Sequence, residues 1–146
     1  MDNVFTNNSF LGKGWNFPPA FNIHHATTNM VKEEEDIEQS LQILLSTQPG
    51  ERVMHPDYGC NLRQLVFEPL SNALASVVKD TIRTAIIRFE PRITPEKIDI
   101  QPTYTGQNVG LLLISLEYII KTTNARSNLV FPYYIEEGTN IEEKYK

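Results

Sequence analysis

The side chains of this 146-residue chain with the widest chemical reach are four carboxylates set among arginines and prolines: Glu51, Asp57, Glu68 and Glu90. Glycoside hydrolysis needs two carboxyl groups facing each other across a sugar-sized cleft, one kept protonated by an apolar site. Here Glu51 is followed at once by Arg52, and Glu90 is followed two residues on by Arg92. A neighbouring guanidinium lowers a carboxyl pKa and suits an ion pair, which is the wrong bias for a general acid. Other reactive groups are no better placed. His24 and His25 are adjacent, point in different directions in an extended chain and have no third ligand at metal spacing. Cys60, the single cysteine, has no disulfide partner and reads as a packed turn residue rather than a nucleophile. A Gly-rich phosphate loop, a Ser-His-Asp signal and a cofactor motif are all missing from the sequence. These residues therefore predict no enzyme, no metal and no cofactor.

The same carboxylates sit in a stretch that core-building does not explain. Between residues 49 and 70, Pro49 and Pro56 fix φ, and Gly50 and Gly59 permit backbone angles closed to other residues. Glu51, Arg52, Asp57 and Tyr58 lie between them without helical or strand period, which predicts an ordered loop with a fixed shape, suited to binding. Glu51 and Arg52 are expected to pair with each other and stiffen it.

Two helices must position this loop. Ile37, Leu41, Leu44 and Leu45 repeat at helical spacing and predict a helix over residues 33–46, with Glu33, Glu34, Glu35 and Asp36 at its positive end and Pro49-Gly50 beyond it. A second helix is expected from Ser71 or Asn72 to Arg88 or Phe89, stopped by Pro91. Its buried side would carry Leu74, Val77, Val78, Thr81, Ile82, Ala85, Ile86 and Phe89. Strands are expected at 98–103, 111–122 and 128–135, with turns at 106–108 and 124–126. In the middle strand Leu112, Ile114, Leu116, Tyr118 and Ile120 form one apolar face. The aromatic segment around Trp15, Phe17 and Phe21 is expected to pack as an edge over the core. The fold class is α+β: two principal helices on a small antiparallel sheet of three to four strands, the Phe17 segment or another piece supplying the fourth. One domain over 14–138 is expected, between a flexible arm at 1–13 and a polar tail at 139–146.

Composition narrows the partners. With 40% hydrophobic and 21% charged residues the chain matches one globular domain. A net charge of −5 without clustered Lys and Arg argues against nucleic acid. The most apolar run, 111–120, is too short and too interrupted by Ser115 and Glu117 to cross a bilayer, so no membrane is expected. The start of the chain has no signal-peptide pattern, which predicts a protein kept in the cytoplasm.

The stretch Pro49-Gly50-Glu51-Arg52, the turn Pro56-Asp57-Tyr58-Gly59-Cys60 and Phe67-Glu68-Pro69 resemble the signature of the baseplate-wedge family that includes the T-even phage gene-25 product and type VI secretion TssE. Glu90-Pro91-Arg92 looks like that family's Glu-Pro-Arg element, and Phe131-Pro132-Tyr133-Tyr134 like its closing strand; the resemblance covers residues 10–138. His55 departs from it, standing where arginine is common.

The resemblance implies a structural baseplate component of a contractile injection system, whether phage tail, extracellular particle or type VI apparatus, assembled in the bacterial cytoplasm in multiple copies of a six-fold baseplate. It implies wedge proteins of the TssF/TssG kind as partners at Glu90, Pro91 and Arg92. It further implies a sheath protein whose donated strands join a sheet edge, with hub or tube proteins as further candidates. The expected sheath-binding strands lie among Leu112, Ile114, Leu116, Tyr118 and Ile120 and among Val130, Phe131 and Tyr133. Two other readings stay open: a lysozyme-like hydrolase, because family members have carried that label, and an anti-adaptor regulator of the same fold. For Glu90 and Arg92 the plainer role of closing a helix end also stays open.

Overall fold

In the computed structural model the described residues are 13–22, 27–28, 30–63, 71–105 and 108–134. The arm before Lys13, the tail at 139–146, and His24, His25, Phe67, Glu68 and Pro69 lie outside them.

Both helices end where their sequence says they should. Helix α1 (Glu33–Ser46) buries Ile37, Leu41, Leu44 and Leu45. Its last turn closes when the Thr47 N–H and hydroxyl both donate to Ile43 O, at 3.0 and 2.6 Å. Helix α2 (Asn72–Phe89) starts at Ser71, whose side chain accepts from the Leu74 N–H at 3.1 Å. It buries Leu74, Val78, Ile82, Ala85 and Ile86 and stops before Pro91. Val77, expected on the buried side, is instead exposed. The stripe centred on Val78, Ile82 and Ala85 already fills the face toward the sheet, and Val77 lies about 100° around the helix from Val78.

The sheet is a three-stranded antiparallel meander of β5 (Ile93–Thr105), β6 (Asn108–Ile120) and β7 (Ala125–Tyr134), in that order. Strand β5 begins five residues before the expected start, pairing Ile93 with Ile120. Pro95 does not break it, because a register shift between Pro95 and Lys97 absorbs the irregularity on an edge strand. The second turn also moves. Asn124 takes φ of 53° and donates its N–H to Ile120 O at 2.8 Å, so the reversal occupies 121–124 and β7 starts at Ala125.

One face of the sheet meets both helices. Leu112, Ile114, Leu116, Tyr118 and Ile120 are buried there as expected, joined from β7 by Leu129 and by the partly buried Phe131 and Tyr133. Helix α2 packs over β5 and helix α1 toward β7. The Tyr118 hydroxyl is buried without a hydrogen bond of good geometry. Burial pushes its pKa up, and the Ser127 hydroxyl opposite it is still close enough to pull the other way.

Among the described residues the N-terminal segment adds no fourth strand to this sheet. Strand β1 (Lys13–Trp15) pairs with β4 (Met30–Lys32), and β2 (Phe21–Asn22) pairs with β3 (Thr27–Thr28), as two separate ribbons. The Phe17 segment lies between β1 and β2, and its aromatics face solvent rather than the core.

Gly59 fixes the loop after α1. Its φ is +123°, and a Cβ there would stand 2.5 Å from Thr47 O. Gly50, at φ +95°, has open space around it. Gly59→Ala is expected to lower stability in urea denaturation by more than about 2 kcal/mol, and Gly50→Ala by about 1 kcal/mol. Equal losses would mean that the close approach to Thr47 carries no weight.

Candidate functional site

The end of α2 carries an ionic network. Glu90 is only 3% exposed. Arg92 grips its carboxylate with two parallel bonds, Nε to Oε1 at 2.6 Å and Nη2 to Oε2 at 2.7 Å. Ser40 Oγ adds a bond to Glu90 Oε2 at 2.7 Å, and Arg92 Nη1 reaches Asp36 Oδ2 at 2.6 Å. Asp36 and Ser40 stand four apart on α1, so one face of that helix holds the carboxylate and the guanidinium together. Burial pushes the Glu90 carboxyl up. The bonds from Arg92 and Ser40, with the charge of Arg92, more than reverse this and hold it below the ordinary carboxylate range.

Glu90 is therefore an inward anchor, which corrects the expectation that all three residues of the element face a partner. Pro91 is exposed and Arg92 partly so. The contributions of Asp36 and Ser40 escaped the sequence reading. Their spacing of four was the available signal, while their partners lie 50 or more residues away.

The loop from 47 to 63 is ordered. The Gly50 N–H donates to Pro56 O at 2.6 Å and closes a small ring of chain, and the Cys60 N–H donates to Thr47 O at 2.9 Å. Glu51 and Arg52 do not pair with each other. Glu51 Oε2 accepts from the Gln48 N–H at 3.1 Å, and the Arg52 guanidinium lies 4.2 Å over the Tyr58 ring, which meets Phe89 at 5.0 Å. Asp57 takes an ion pair from Arg88. Cys60 is buried and its thiol is pushed up to about 12 by burial, in keeping with a packing role. Val53 and Met54 at the loop tip stand almost fully in solvent.

An open groove of about 470 Å³ runs between this loop and α2, lined by Asp57, Asn61, Val77, Asp80, Thr84 and Arg88 among others. Among the described residues no cluster of three or more His, Cys, Asp or Glu side chains is placed to hold a metal.

The expected sheath-binding strands divide. Leu112, Ile114, Leu116, Tyr118 and Ile120 belong to β6, which is hydrogen-bonded on both sides, and their side chains form the core. They cannot form an open edge. Phe131 and Tyr133 also turn inward against the core, whereas Val130 is exposed on β7. Alternating apolar residues mark a buried face, and a central strand shows that pattern as well as an edge strand does.

Residues 31–125 match the family described as Baseplate wedge protein gp25. The chain belongs to this family. Two relatives are 32% identical to it: baseplate wedge protein gp25 of Enterobacteria phage T4 over 68 residues, and baseplate protein W of Escherichia phage P2 over 77 residues. Those matches span 47% and 53% of this chain, but only 52% of the T4 protein and 67% of the P2 protein.

A crystal structure from Geobacter sulfurreducens, with the provisional designation of tail lysozyme, is 37% identical with a TM-score of 0.64 and covers 76% of this chain and 100% of its own. A subunit of the cryo-EM anti-feeding prophage baseplate is 27% identical with a TM-score of 0.62, covering 87% of this chain and 88% of that one. The gp25 match takes in α1, the loop, α2, β5, β6 and the whole Glu90–Arg92 network. It leaves β1, β2, β3 and nearly all of β7 outside.

Because Glu90 has a depressed folded-state pKa, its contribution to stability is full above the ordinary carboxyl value of 4.5 and is lost as pH falls through the lower folded value. Glu90→Gln should be less stable than the parent by about 3 kcal/mol at pH 7, since Arg92 loses the carboxylate that meets it with two parallel bonds and keeps the charge of Asp36 on its other terminal nitrogen. In urea titrations from pH 7 to pH 3 the two proteins should converge below pH 4.5. Parallel curves would show that Glu90 is not the titrating group.

Proposed function

We propose that this gp25-family chain is a structural component of the baseplate of a phage tail or tail-like particle, joining wedge proteins at one end and the first sheath ring at another. Assembly would take place in the bacterial cytoplasm, with several copies entering a six-fold baseplate. The names of the T4 and P2 relatives and the match to a baseplate subunit of the anti-feeding prophage support the baseplate role. The wedge contact at Pro91 and Arg92 rests on the family resemblance and on the way the network fixes them at the surface, with Glu90 holding Arg92 from below.

The observation that carries the sheath contact is the outer position of β7 in the described sheet. Among the described strands β7 pairs with β6 alone, so among the described residues the row of main-chain groups on its other side has no ladder partner. Residues 125–131 of this edge are free of proline. The opposite edge, β5, carries Pro95 and Pro102, which have no N–H to offer, and two register shifts. An extended segment donated by a sheath subunit can add to β7 by β-augmentation, with Val130 among the exposed side chains that set its register.

Catalysis has less support. Glu90 is ionised and enclosed, Asp57 is held by Arg88, and Glu51 is folded onto the Gln48 N–H. None of these three has the apolar, unpaired setting of a general acid. The lysozyme designation of the Geobacter protein therefore does not carry a hydrolase reading here.

Pro132 keeps its register with Leu113 although it has no N–H to donate. In an antiparallel ladder that parity places the N–H of Val130, two residues earlier, on the open side. Val130→Pro should therefore fold normally and remove an outward donor. In pull-downs of tagged protein from cells carrying its gene cluster, the parent should recover sheath and wedge proteins, and Val130→Pro should lose sheath while keeping wedge. Sheath recovery equal to the parent would sink the β7 assignment, and recovery of neither partner by the parent would sink the baseplate reading itself.

A further inference from the structure

The two flanks of α1 differ in how their charges are met. Asp36 and Ser40 face the end of α2 and are bonded to Arg92 and Glu90. At about 100° per residue, Glu34 and Glu38 stand on the opposite flank, four apart and in line. Helix α2 lies over β5 and α1 over β7, so the Glu34–Glu38 flank looks away from α2, past the outer side of β7. Glu38 is half-buried, yet among the described residues neither carboxylate takes an ion pair or a hydrogen bond. Two like charges four apart on a helix disfavour each other until a cation meets them. The cations at this end of the molecule are arranged elsewhere. Lys13 and Lys32 are opposite each other in the β1–β4 ladder, and that ribbon approaches α1 on the Asp36 flank, through Gly14. The Lys121 N–H is held by Arg92 O, and Arg126 pairs with Glu96 on the sheet face turned from the helices.

Next to the two glutamates lies a second group whose bonding is incomplete. Tyr118 is 1% exposed and its hydroxyl has no hydrogen bond of good geometry. Burial pushes its pKa up, Ser127 pulls it down, and the charges of Glu38 and Glu34 push it up again. Both carboxylates therefore act at the level of Ser127, the β7 residue paired with Tyr118. A strand added to β7 lies about 4.8 Å beyond it, so a long side chain on its helix-facing side at this level comes within reach of them. Farther along β7 the same face is apolar: Leu129 is buried, and Phe131 and Tyr133 pack against the core. The helix-facing side of the edge thus changes from acidic to apolar between Ser127 and Phe131, over about 13 Å.

We propose that Glu34 and Glu38 select the sheath strand accepted by β7: it carries a Lys or Arg that meets both carboxylates at the level of Ser127, and apolar side chains two and four residues away at the levels of Leu129 and Phe131. The inference rests on the β7 reading given above and adds the residues that choose the strand and set its register. Main-chain bonds accept any extended segment, whereas two unpaired carboxylates favour a basic one and repel an acidic one. A slip by one residue carries the cation to the other face, away from both glutamates. Segments of this chain outside the described residues match less well. Residues 1–12 and 64–70 contain no Lys or Arg, and residues 135–146 carry two lysines among four glutamates.

The test places the photo-reactive residue p-benzoylphenylalanine at Asn128, which is exposed on β7 beside Ser127. The full chain is produced with its gene cluster, and crosslinked peptides are identified by mass spectrometry. They should come from a sheath protein and show Lys or Arg with apolar residues two and four positions away. That segment is then synthesised as a peptide and bound to the purified full chain in biolayer interferometry. Glu34→Gln/Glu38→Gln should bind it about fivefold more weakly than the parent at about 0.05 M salt, and the gap should close near about 0.5 M. A peptide with Gln in place of its Lys or Arg should bind parent and variant alike.

A sheath crosslink with equal affinities for parent and variant, or with a loss that salt does not change, overturns the role of the two glutamates and leaves the β7 reading intact. A crosslinked sheath segment without Lys or Arg does the same. Absence of any sheath crosslink overturns both. Crosslinks to residues 1–12 or 135–146 of the same chain, or to a second copy of it, overturn the proposal by giving the edge a different occupant.

Discussion

A single buried carboxylate organises this molecule. Glu90 sits where α2 ends, and its charge is tolerable there because Arg92 meets it with two parallel bonds and Ser40 with a third. A lone ionised group at that depth would cost several kcal/mol, so the partners must be present for the chain to turn as it does from α2 into β5. Pro91, between the two charged residues, stops the helix and sets the reversal. Through Asp36 and Ser40 the same group of atoms fixes α1 against the helix end. The element that the family resemblance marks as a contact site is thus first a joint between the two helices and the sheet, and its surface residues inherit their positions from that joint.

The far end of α1 is tied by different means. Thr47 closes the last turn with its own hydroxyl, and its carbonyl then accepts from Cys60, across a contact that only a glycine at 59 permits. Arg52 over the Tyr58 ring, and Tyr58 tilted against Phe89, bring the loop back onto the C-terminal end of α2. Ionic bonds hold one end of α1, and backbone geometry with ring packing holds the other. Surface features such as the Val53-Met54 tip and the aromatic N-terminal segment are carried on this rigid pair of helices.

Much of this was legible in the sequence where the signal was local. Both helices announced themselves through apolar spacing and end residues, and the alternation in β6 marked the face toward the helices. Non-local relations were hidden. Nothing in the alternation of Leu112 to Ile120 tells that β6 lies between two strands, so an edge was expected where there is none. The expected start of β5 at 98 missed its first five residues, where Pro95 and its bulge sit on an edge strand. Glu51 and Arg52, neighbours of opposite charge, suggested a pair, yet each found a better partner within the loop. Asp36 looked like a helix-dipole residue because Arg92 is 56 positions away.

The meander has one further consequence, for the order in which the molecule comes together. Strands β5, β6 and β7 each pair with their neighbour in sequence, so the sheet closes through short loops at small entropic cost. The bonds from α1 to Glu90 and Arg92 close loops of 50 and 56 residues and can form only after distant parts of the chain have met. By sequence separation the sheet and the helix leading into it hold the contacts that close the shorter loops, and the carboxylate joint is the contact that must wait for the N-terminal half to meet them.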